Sequence, residues 1–205
     1  MKMPSNCNPR TASRFRSLFV SLALLLIALT PGLAATEGFK LVSLPLHIPE
    51  RGEVTSYAIM TESHRFSFLP PPNWKVKSDS KGQEVTLTPP DLMASIQFKI
   101  TRPGPDLGEE SQSSLLRTQI QTRYPGAVII REFNCYTGGS QGLAFDLERV
   151  VQKKSKIAMR LAFVPFAGGR VEFNLTASAQ KFEDYHRAFG NLLTSFRIDP
   201  SVTRE

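Results

Sequence analysis

The stretch from Gly142 to Leu175, GLAFDLERVVQKKSKIAMRLAFVPFAGGRVEFNL, sets the fold class of this chain. Apolar and polar side chains alternate in three of its segments: residues 142–151, 157–163 and 171–175. In the first segment, Leu143 and Phe145 point to one side and Asp146 points to the other. The two breaks between the segments are short and rich in Lys or Gly, which is typical of turns. This pattern predicts three antiparallel strands that share one apolar face and one mostly polar face.

An amphipathic helix is predicted on the C-terminal side of this stretch, from about Ala179 to Ser195. Six large apolar residues recur there at helical spacing: Phe182, Tyr185, Phe189, Leu192, Leu193 and Phe196. A stripe of this width must be buried against another element of the fold. We expect the apolar face of the three strands to cover it.

The N-terminal half adds further strands and a second helix. Leu92–Thr101 alternates strictly, and shorter segments are also predicted as strands: residues 56–60, 65–68, 74–77, 84–88 and 127–133. Residues 107–124 change to helical spacing, because Leu116, Ile120 and Tyr124 stand four apart. The order strands, helix, strands, helix predicts an α+β fold. We expect an antiparallel sheet of about six to seven strands with helices packed on it.

The first 34 residues have the pattern of a secretory signal peptide. Four basic residues precede an apolar run from Leu18 to Leu29, and Gly32 and Ala34 offer small residues for cleavage. A membrane-spanning helix needs about 20 apolar residues, which is more than this run supplies. We therefore expect export, cleavage near Ala34, and a mature protein in the periplasm or outside the cell. An uncleaved leader that anchors a structural protein in the membrane stays open as an alternative.

Charge and cysteine content give little support to a nucleic-acid-binding protein or to a fold held together by an intrachain disulfide. The chain carries a formal charge of +7, but the leader holds four of the 25 Lys and Arg residues and none of the 18 Asp and Glu residues. The remainder therefore carries only +3, which gives no case for nucleic-acid binding. Cys7 lies in the leader, so Cys135 has no partner for an intrachain disulfide.

One domain is predicted after the leader, because no internal repeat or low-complexity tract divides the chain. Residues 35–55 include Pro45 and Pro49 and lack sustained periodicity, so we predict a lead-in segment there. The domain follows over residues 56–198, and residues 199–205 form a predicted tail.

Two short motifs at the ends of this domain resemble a known family. Pro71-Pro72-Asn73-Trp74 follows an early strand, and the last helix ends in Leu192-Leu193-Thr194-Ser195-Phe196. This combination resembles the PsbP-like superfamily, which has a Pro-x-Gly-Trp signature and a closing helix that ends in Ser-Phe. Asn73 stands where Gly is usual, and Asn is the next-best residue for a left-handed turn. The resemblance implies an α/β/α sandwich. It implies little about function, because members bind partners as varied as a photosystem and a small nuclear GTPase.

Candidate functional residues are few. His47, His64 and His186 lack the spacing of zinc ligands, and Cys135 has no histidine near it in sequence, so a small buried residue is the favoured interpretation. We therefore assign no catalytic, cofactor-binding or metal-binding residue. The densest charge cluster is a candidate interaction patch: Arg149, Lys153, Lys154, Lys156 and Arg160. The alternative is a solvated turn whose lysines discourage edge pairing.

These observations favour an exported, non-enzymatic accessory or protein-binding domain that needs no cofactor. We expect its partner to be another exported or membrane protein, with membrane contact only through an uncleaved leader. An extracytoplasmic enzyme is the alternative, and it would require a deep pocket where Cys135 or a histidine meets an acid with a shifted pKa.

Overall fold

The computed structural model describes residues 38–49, 52–101, 109–151 and 155–200, which form eleven strands and two helices within one compact unit. The elements in chain order are β1 Lys40–Ile48, β2 Gly52–Met60, β3 His64–Phe68, β4 Lys75–Asp79, β5 Glu84–Thr88, β6 Ala94–Thr101, α1 Glu109–Arg123, β7 Ala127–Thr137, β8 Ser140–Val150, β9 Lys156–Phe166, β10 Gly169–Ser178, α2 Phe182–Ser195 and β11 Arg197–Pro200. The predicted leader, residues 1–34, lies outside the described residues.

A seven-stranded antiparallel sheet organises the fold, with strand order β4-β5-β6-β10-β9-β8-β7. The predicted antiparallel sheet of six to seven strands is therefore confirmed. Consecutive strands pair through short turns except at the centre, where β6 lies beside β10. The register there sets Phe98 opposite Phe173 and Lys99 opposite Glu172.

A second antiparallel sheet, with order β1-β2-β3-β11, was not predicted. Residues 35–55 were expected to be a lead-in segment, but β1 and the start of β2 form a hairpin there. Pro45 is tolerated because β1 is an edge strand of its sheet, where a missing N–H costs no ladder bond. β11 begins just after α2 and pairs with β3, so Asp199 and Pro200 belong to a strand instead of the predicted tail.

The main core lies between the seven-stranded sheet, α2 and the second sheet. The predicted α2 stripe is buried, and its most deeply buried members include Phe189 within the helix and Phe196 immediately after it. The Phe196 ring centroid lies 5.0 Å from that of Phe173 and 5.3 Å from that of Phe98. These aromatic rings come from β6, β10 and the residue that follows α2, so one apolar cluster joins elements from across the chain.

The other face of the seven-stranded sheet is also buried where α1 crosses it. Leu116 and Ile120 of α1 pack with the large apolar residues of β8 and β9, which include Phe145 and Leu161. We expected α2 to cover those residues, and that expectation was wrong. On the α2 side, β8 and β9 present small residues such as Ala144, which let the helix approach closely. The prediction of one mostly polar face therefore fails for these two strands.

The turn at Asn73 has the left-handed conformation that the sequence suggested. Asn73 has φ of 65°, and the backbone N–H of Trp74 donates to the carbonyl of Pro71 at 3.2 Å. Trp74 packs partly buried against the main core, with its ring 6.0 Å from the Tyr185 ring. Asn therefore takes the place that Gly has in the Pro-x-Gly-Trp signature.

Candidate functional site

One helix cannot cover a face of seven strands. A helix with its side chains is about 10 Å wide, whereas seven strands spaced about 4.8 Å apart extend over about 29 Å. α1 packs on the half of the face formed by β7, β8 and β9. On the other half, formed by β4, β5, β6 and β10, the hydrogen bonds of α1 reach only β10, through Gln119 and Arg123, within the described residues. We call this half the open face.

The open face is polar because β5, β6 and β10 alternate strictly. Their apolar side chains point into the main core, and their polar side chains point to the other side. The register aligns these polar side chains in rows across the strands. Thr86, Gln97 and Asn174 form one row, and Glu84, Lys99 and Glu172 form the next.

A small cleft, which we call the polar cleft, forms where the C-terminal end of α1 meets these rows. Its volume is about 190 Å³. Leu161 and Phe163 contribute its apolar lining, and Glu84 also reaches it. The other polar side chains that line it are Gln97, Lys99, Arg123, Tyr124, Glu172 and Asn174. The cleft therefore combines residues from β5, β6, α1, β9 and β10.

Glu172 organises the charges of the polar cleft. Its side chain is only 6% exposed and accepts hydrogen bonds from Arg123 Nη1 at 2.9 Å and Arg170 Nη2 at 2.5 Å. Lys99 Nζ lies 3.8 Å from the same carboxylate. Burial raises the pKa of Glu172, but the hydrogen bonds and charges of Arg123 and Arg170 outweigh this effect and hold its pKa below the usual value. Glu172 therefore stays ionised.

The structure does not bring the five residues of the predicted interaction patch together on the surface. Arg160 is buried at 4% exposure and donates from Nε and Nη2 to the two carboxylate oxygens of Asp146, at 2.6 and 2.8 Å. Its guanidinium also lies over the rings of Phe133 and Phe182. Arg160 therefore packs in the interior of the fold, because its side chain lies on the face of β9 that is turned toward α2.

The other described members of the patch, Lys156 and Arg149, differ in their exposure to solvent. Lys156 is exposed and its Nζ lies 3.4 Å from a carboxylate oxygen of Glu148, while Arg149 is half-buried. Lys153 and Lys154 lie outside the described residues. The patch without Arg160 stays a prediction.

In the part of the chain that the structure describes, the other candidate residues do not come together in one site. Cys135 is buried, and burial raises the pKa of its thiol to about 11. His186 is exposed, with Nδ1 at 3.5 Å from Glu183. Among the described residues, no group of three or more His, Cys, Asp or Glu side chains could hold a metal ion. Within the same residues, no helix combines the length and apolarity that crossing a membrane would require.

Sequence reasoning missed the polar cleft. A signal for it was present in β10, where Arg170, Glu172 and Asn174 follow one another on one side of the strand. A run of polar residues on one face was interpreted as an ordinary solvated strand face. The pairing with β6 and the position of α1 convert that run into a cleft.

Comparisons with known proteins identify the fold. No protein-family model and no characterised sequence matches the chain. The solution structure of the cyanobacterial PsbP, CyanoP, from Synechocystis sp. PCC 6803 has 13% identity and a TM-score of 0.50, covering 65% of this chain and 86% of its own. The crystal structure of LpqN, involved in cell envelope biogenesis of Mycobacterium tuberculosis, has 14% identity and a TM-score of 0.50, covering 78% and 92%. The resemblance suggested by the sequence is confirmed at the level of the fold, which is PsbP-like.

Proposed function

We propose that this chain with a PsbP-like fold is an exported, non-enzymatic binding domain, and that a partner protein docks on its open face. One observation carries the proposal. A single helix covers half of one sheet face, and the other half presents ordered rows of polar side chains that end in a charged cleft. A rigid sheet that aligns side chains in this way offers a preorganised surface, which lowers the entropic cost of binding.

The chemistry of the polar cleft supports binding over catalysis. Glu172 has a lowered pKa and both of its carboxylate oxygens accept hydrogen bonds, so it is a poor general base. Cys135 has a pKa of about 11, which leaves very little thiolate at neutral pH. An enzyme of unrecognised type stays the alternative, and measurable turnover of any substrate at this cleft would favour it.

The predicted leader supports an exported location for this domain, and the partner would then be an exported or membrane protein. LpqN, which shares the fold, is involved in cell envelope biogenesis, and such a role agrees with this location. Mass spectrometry of the mature N-terminus tests the leader. A chain that begins near Ala35 would exclude the alternative of an uncleaved membrane anchor.

Site-specific photo-crosslinking in the producing cells tests the docking surface. We would place a photoreactive residue at Thr86, on the open face, and as a matched control at Glu183, which is 83% exposed on α2. We expect the full-length protein to form one discrete crosslinked product from Thr86 and none from Glu183. The additional substitution Asn174→Arg, which places a bulky cation in the same row as Thr86, on the other side of Gln97, should abolish the product.

Equal crosslinking from both positions would contradict docking on the open face. So would a product from Glu183 alone. A product from Thr86 that survives Asn174→Arg would also contradict the proposal, because the partner could not then lie against this row.

A further inference from the structure

The volume of the polar cleft limits what can enter it. Ligand pockets for complete small molecules usually measure about 300–1,000 Å³. The cleft measures about 190 Å³, which lies below that range. It therefore fits one side chain of a partner protein better than a free metabolite.

The charges of the polar cleft favour an anionic group. Arg170 is not in the lining of the cleft, but it pairs with Glu172. With that pair counted as neutral, Lys99 and Arg123 face one further carboxylate, Glu84, which leaves one positive charge in excess. The positive groups also lie nearer to solvent. Lys99 is 36% exposed and Arg123 is 42% exposed, whereas Glu172 is 6% exposed. An approaching group meets the cations before it meets the carboxylate that balances them.

Unused hydrogen-bond donors lie in and beside the cleft. Arg170 Nε is buried and has no hydrogen-bond partner within the described residues. The Gln97 side chain lines the cleft and makes no hydrogen bond in the same part of the chain. The Asn174 amide nitrogen donates only over a long distance, 3.5 Å, to the Tyr124 hydroxyl, while the amide oxygen accepts from Thr176 Oγ1 at 3.1 Å. Of these donors, the Gln97 and Asn174 amides line the cleft and can bind an oxygen acceptor without giving up strong bonds within the protein.

A cationic ligand is disfavoured by the same geometry. The C-terminal end of a helix attracts positive charge, and this effect by itself favours a cation at the end of α1. Arg123 already occupies the last turn of α1, and its guanidinium points to Glu172. The place for a cation at this helix end is therefore filled by the protein itself.

We infer that the polar cleft binds a carboxylate, supplied by an Asp or Glu side chain of the docked partner. Lys99 and Arg123 would supply the opposing charges, and the Gln97 amide would supply a further donor. This inference rests on the proposed function and deepens it, because it names the chemistry by which a partner is recognised on the open face.

Titration followed by nuclear magnetic resonance tests the inference on the full-length protein. The probe is glutamate blocked at both ends as N-acetyl-glutamate N-methylamide, and the neutral control is the corresponding glutamine compound, both at constant ionic strength. We expect the glutamate probe to shift the backbone amides of Gln97, Lys99 and Glu172 saturably, and the glutamine probe to leave them unchanged. N-acetyl-glycine presents a carboxylate like that of a chain terminus. It tests whether the cleft binds the C-terminal carboxylate of a partner instead of a side-chain carboxylate.

Matched lysine variants locate the binding. Lys99→Gln should weaken binding of the glutamate probe about tenfold, because it removes a charge-assisted contact. Lys77→Gln changes a lysine that is exposed on β4, on the same face but not in the lining of the cleft, and should leave the affinity unchanged. An equal loss of affinity in both variants would show that the probe responds only to the overall positive charge of this face. That result would overturn the inference.

Two further results would overturn the inference, and they are distinguishable from failure of the proposed function. One is equal shifts with the glutamate and glutamine probes, and the other is binding of N-acetyl-glycine alone. If crosslinking from Thr86 persists in the Lys99→Gln protein while the glutamate probe gives no shift, the docking surface stands and the carboxylate assignment fails. If crosslinking from Thr86 is absent, the proposed function itself fails.

Discussion

Removal of the carboxylate of Asp146 should destabilise the protein far more than removal of its exposed partner. Asp146 accepts hydrogen bonds from Arg160 at 2.6 and 2.8 Å and from Arg131 Nη2 at 2.6 Å. Arg160 has a side chain only 5% exposed, so Asp146→Ala leaves a buried guanidinium without a counter-charge. Breaking a buried pair in this way costs about 3–5 kcal/mol.

The aromatic rings around Arg160 place the expected value at the lower end of that range. The guanidinium carbon of Arg160 lies 5.0 Å from the Phe133 ring centroid and 5.6 Å from the Phe182 ring centroid. Each contact stabilises a partly desolvated cation by about 0.5–2 kcal/mol, and both persist in the variant. We therefore expect Asp146→Ala to lower the free energy of unfolding by about 3 kcal/mol.

Arg131→Ala is the control, because it removes the other partner of Asp146. The Arg131 side chain is 59% exposed, and exposed ion pairs contribute about 0–1 kcal/mol. Equilibrium unfolding of the full chain in urea, at pH 7, measures both variants. The double variant Asp146→Ala/Arg160→Met should recover part of the loss, because it replaces the unpaired charge with an apolar side chain of similar length.

The pH dependence gives an independent measurement. Burial raises the pKa of Asp146, but hydrogen bonds and charges from Arg160 and Arg131 hold it below the usual value of the unfolded chain. A carboxyl with a depressed folded pKa contributes its full stability above its unfolded pKa, about 3.9, and loses it as the pH falls through the folded pKa. The difference between wild type and Asp146→Ala should thus be constant above about pH 5 and shrink below about pH 4.

The reasoning would be refuted by a loss below about 1 kcal/mol for Asp146→Ala, equal to that of Arg131→Ala. Such a result would mean that the Arg160 guanidinium reaches water when its partner is removed. Arg160 could then be part of the surface interaction patch that the sequence predicts.

Three further predictions test other elements of the fold. Phe189→Ala should lower the free energy of unfolding in urea by about 3–5 kcal/mol, because the ring is 1% exposed in the main core, and a loss below about 1 kcal/mol would show that α2 is not docked. Asn73→Gly should change that free energy by less than about 0.5 kcal/mol, whereas Asn73→Val should cost about 1–2 kcal/mol at φ of 65°, and equal effects would contradict a left-handed turn. Cys135, with its pKa near 11, should react with iodoacetamide at pH 8 on the order of 100-fold more slowly in the folded protein than in urea, and comparable rates would show an accessible thiol.

The elements predicted well are those whose own side chains determine them. α2 carries an apolar stripe at helical spacing, and β6 alternates over its whole length, so each pattern holds whatever the partner element is. The position of α2 over small residues of β8 and β9 was predicted less well. Both faces of β9 are buried and, apart from Arg160, mostly apolar, and periodicity alone cannot tell which helix covers which face.

β1 and β11 could not be predicted because their pairing partners determine them. β1 contains Pro45 and has no clean alternation, and its backbone bonds come from β2. β11 has four residues, too few for any periodic pattern, and it exists because the chain leaves α2 beside β3. Strand pairing is a long-range property, so a single sequence carries little local record of it.

The same distinction explains why the sequence pointed to one basic cluster and the structure to another. Lys153, Lys154 and Lys156 lie within four consecutive residues, and a dense local run of charge is easily recognised in a single sequence. Arg123 and Glu172 are 49 residues apart, and they meet only because the register of β6 and β10 and the end of α1 bring them together. A binding site depends on groups held in fixed relative positions, and pairing across a sheet fixes positions more tightly than adjacency along a turn. Recognition by this domain should accordingly depend more on the aligned rows of the open face than on the number of lysines in any one loop.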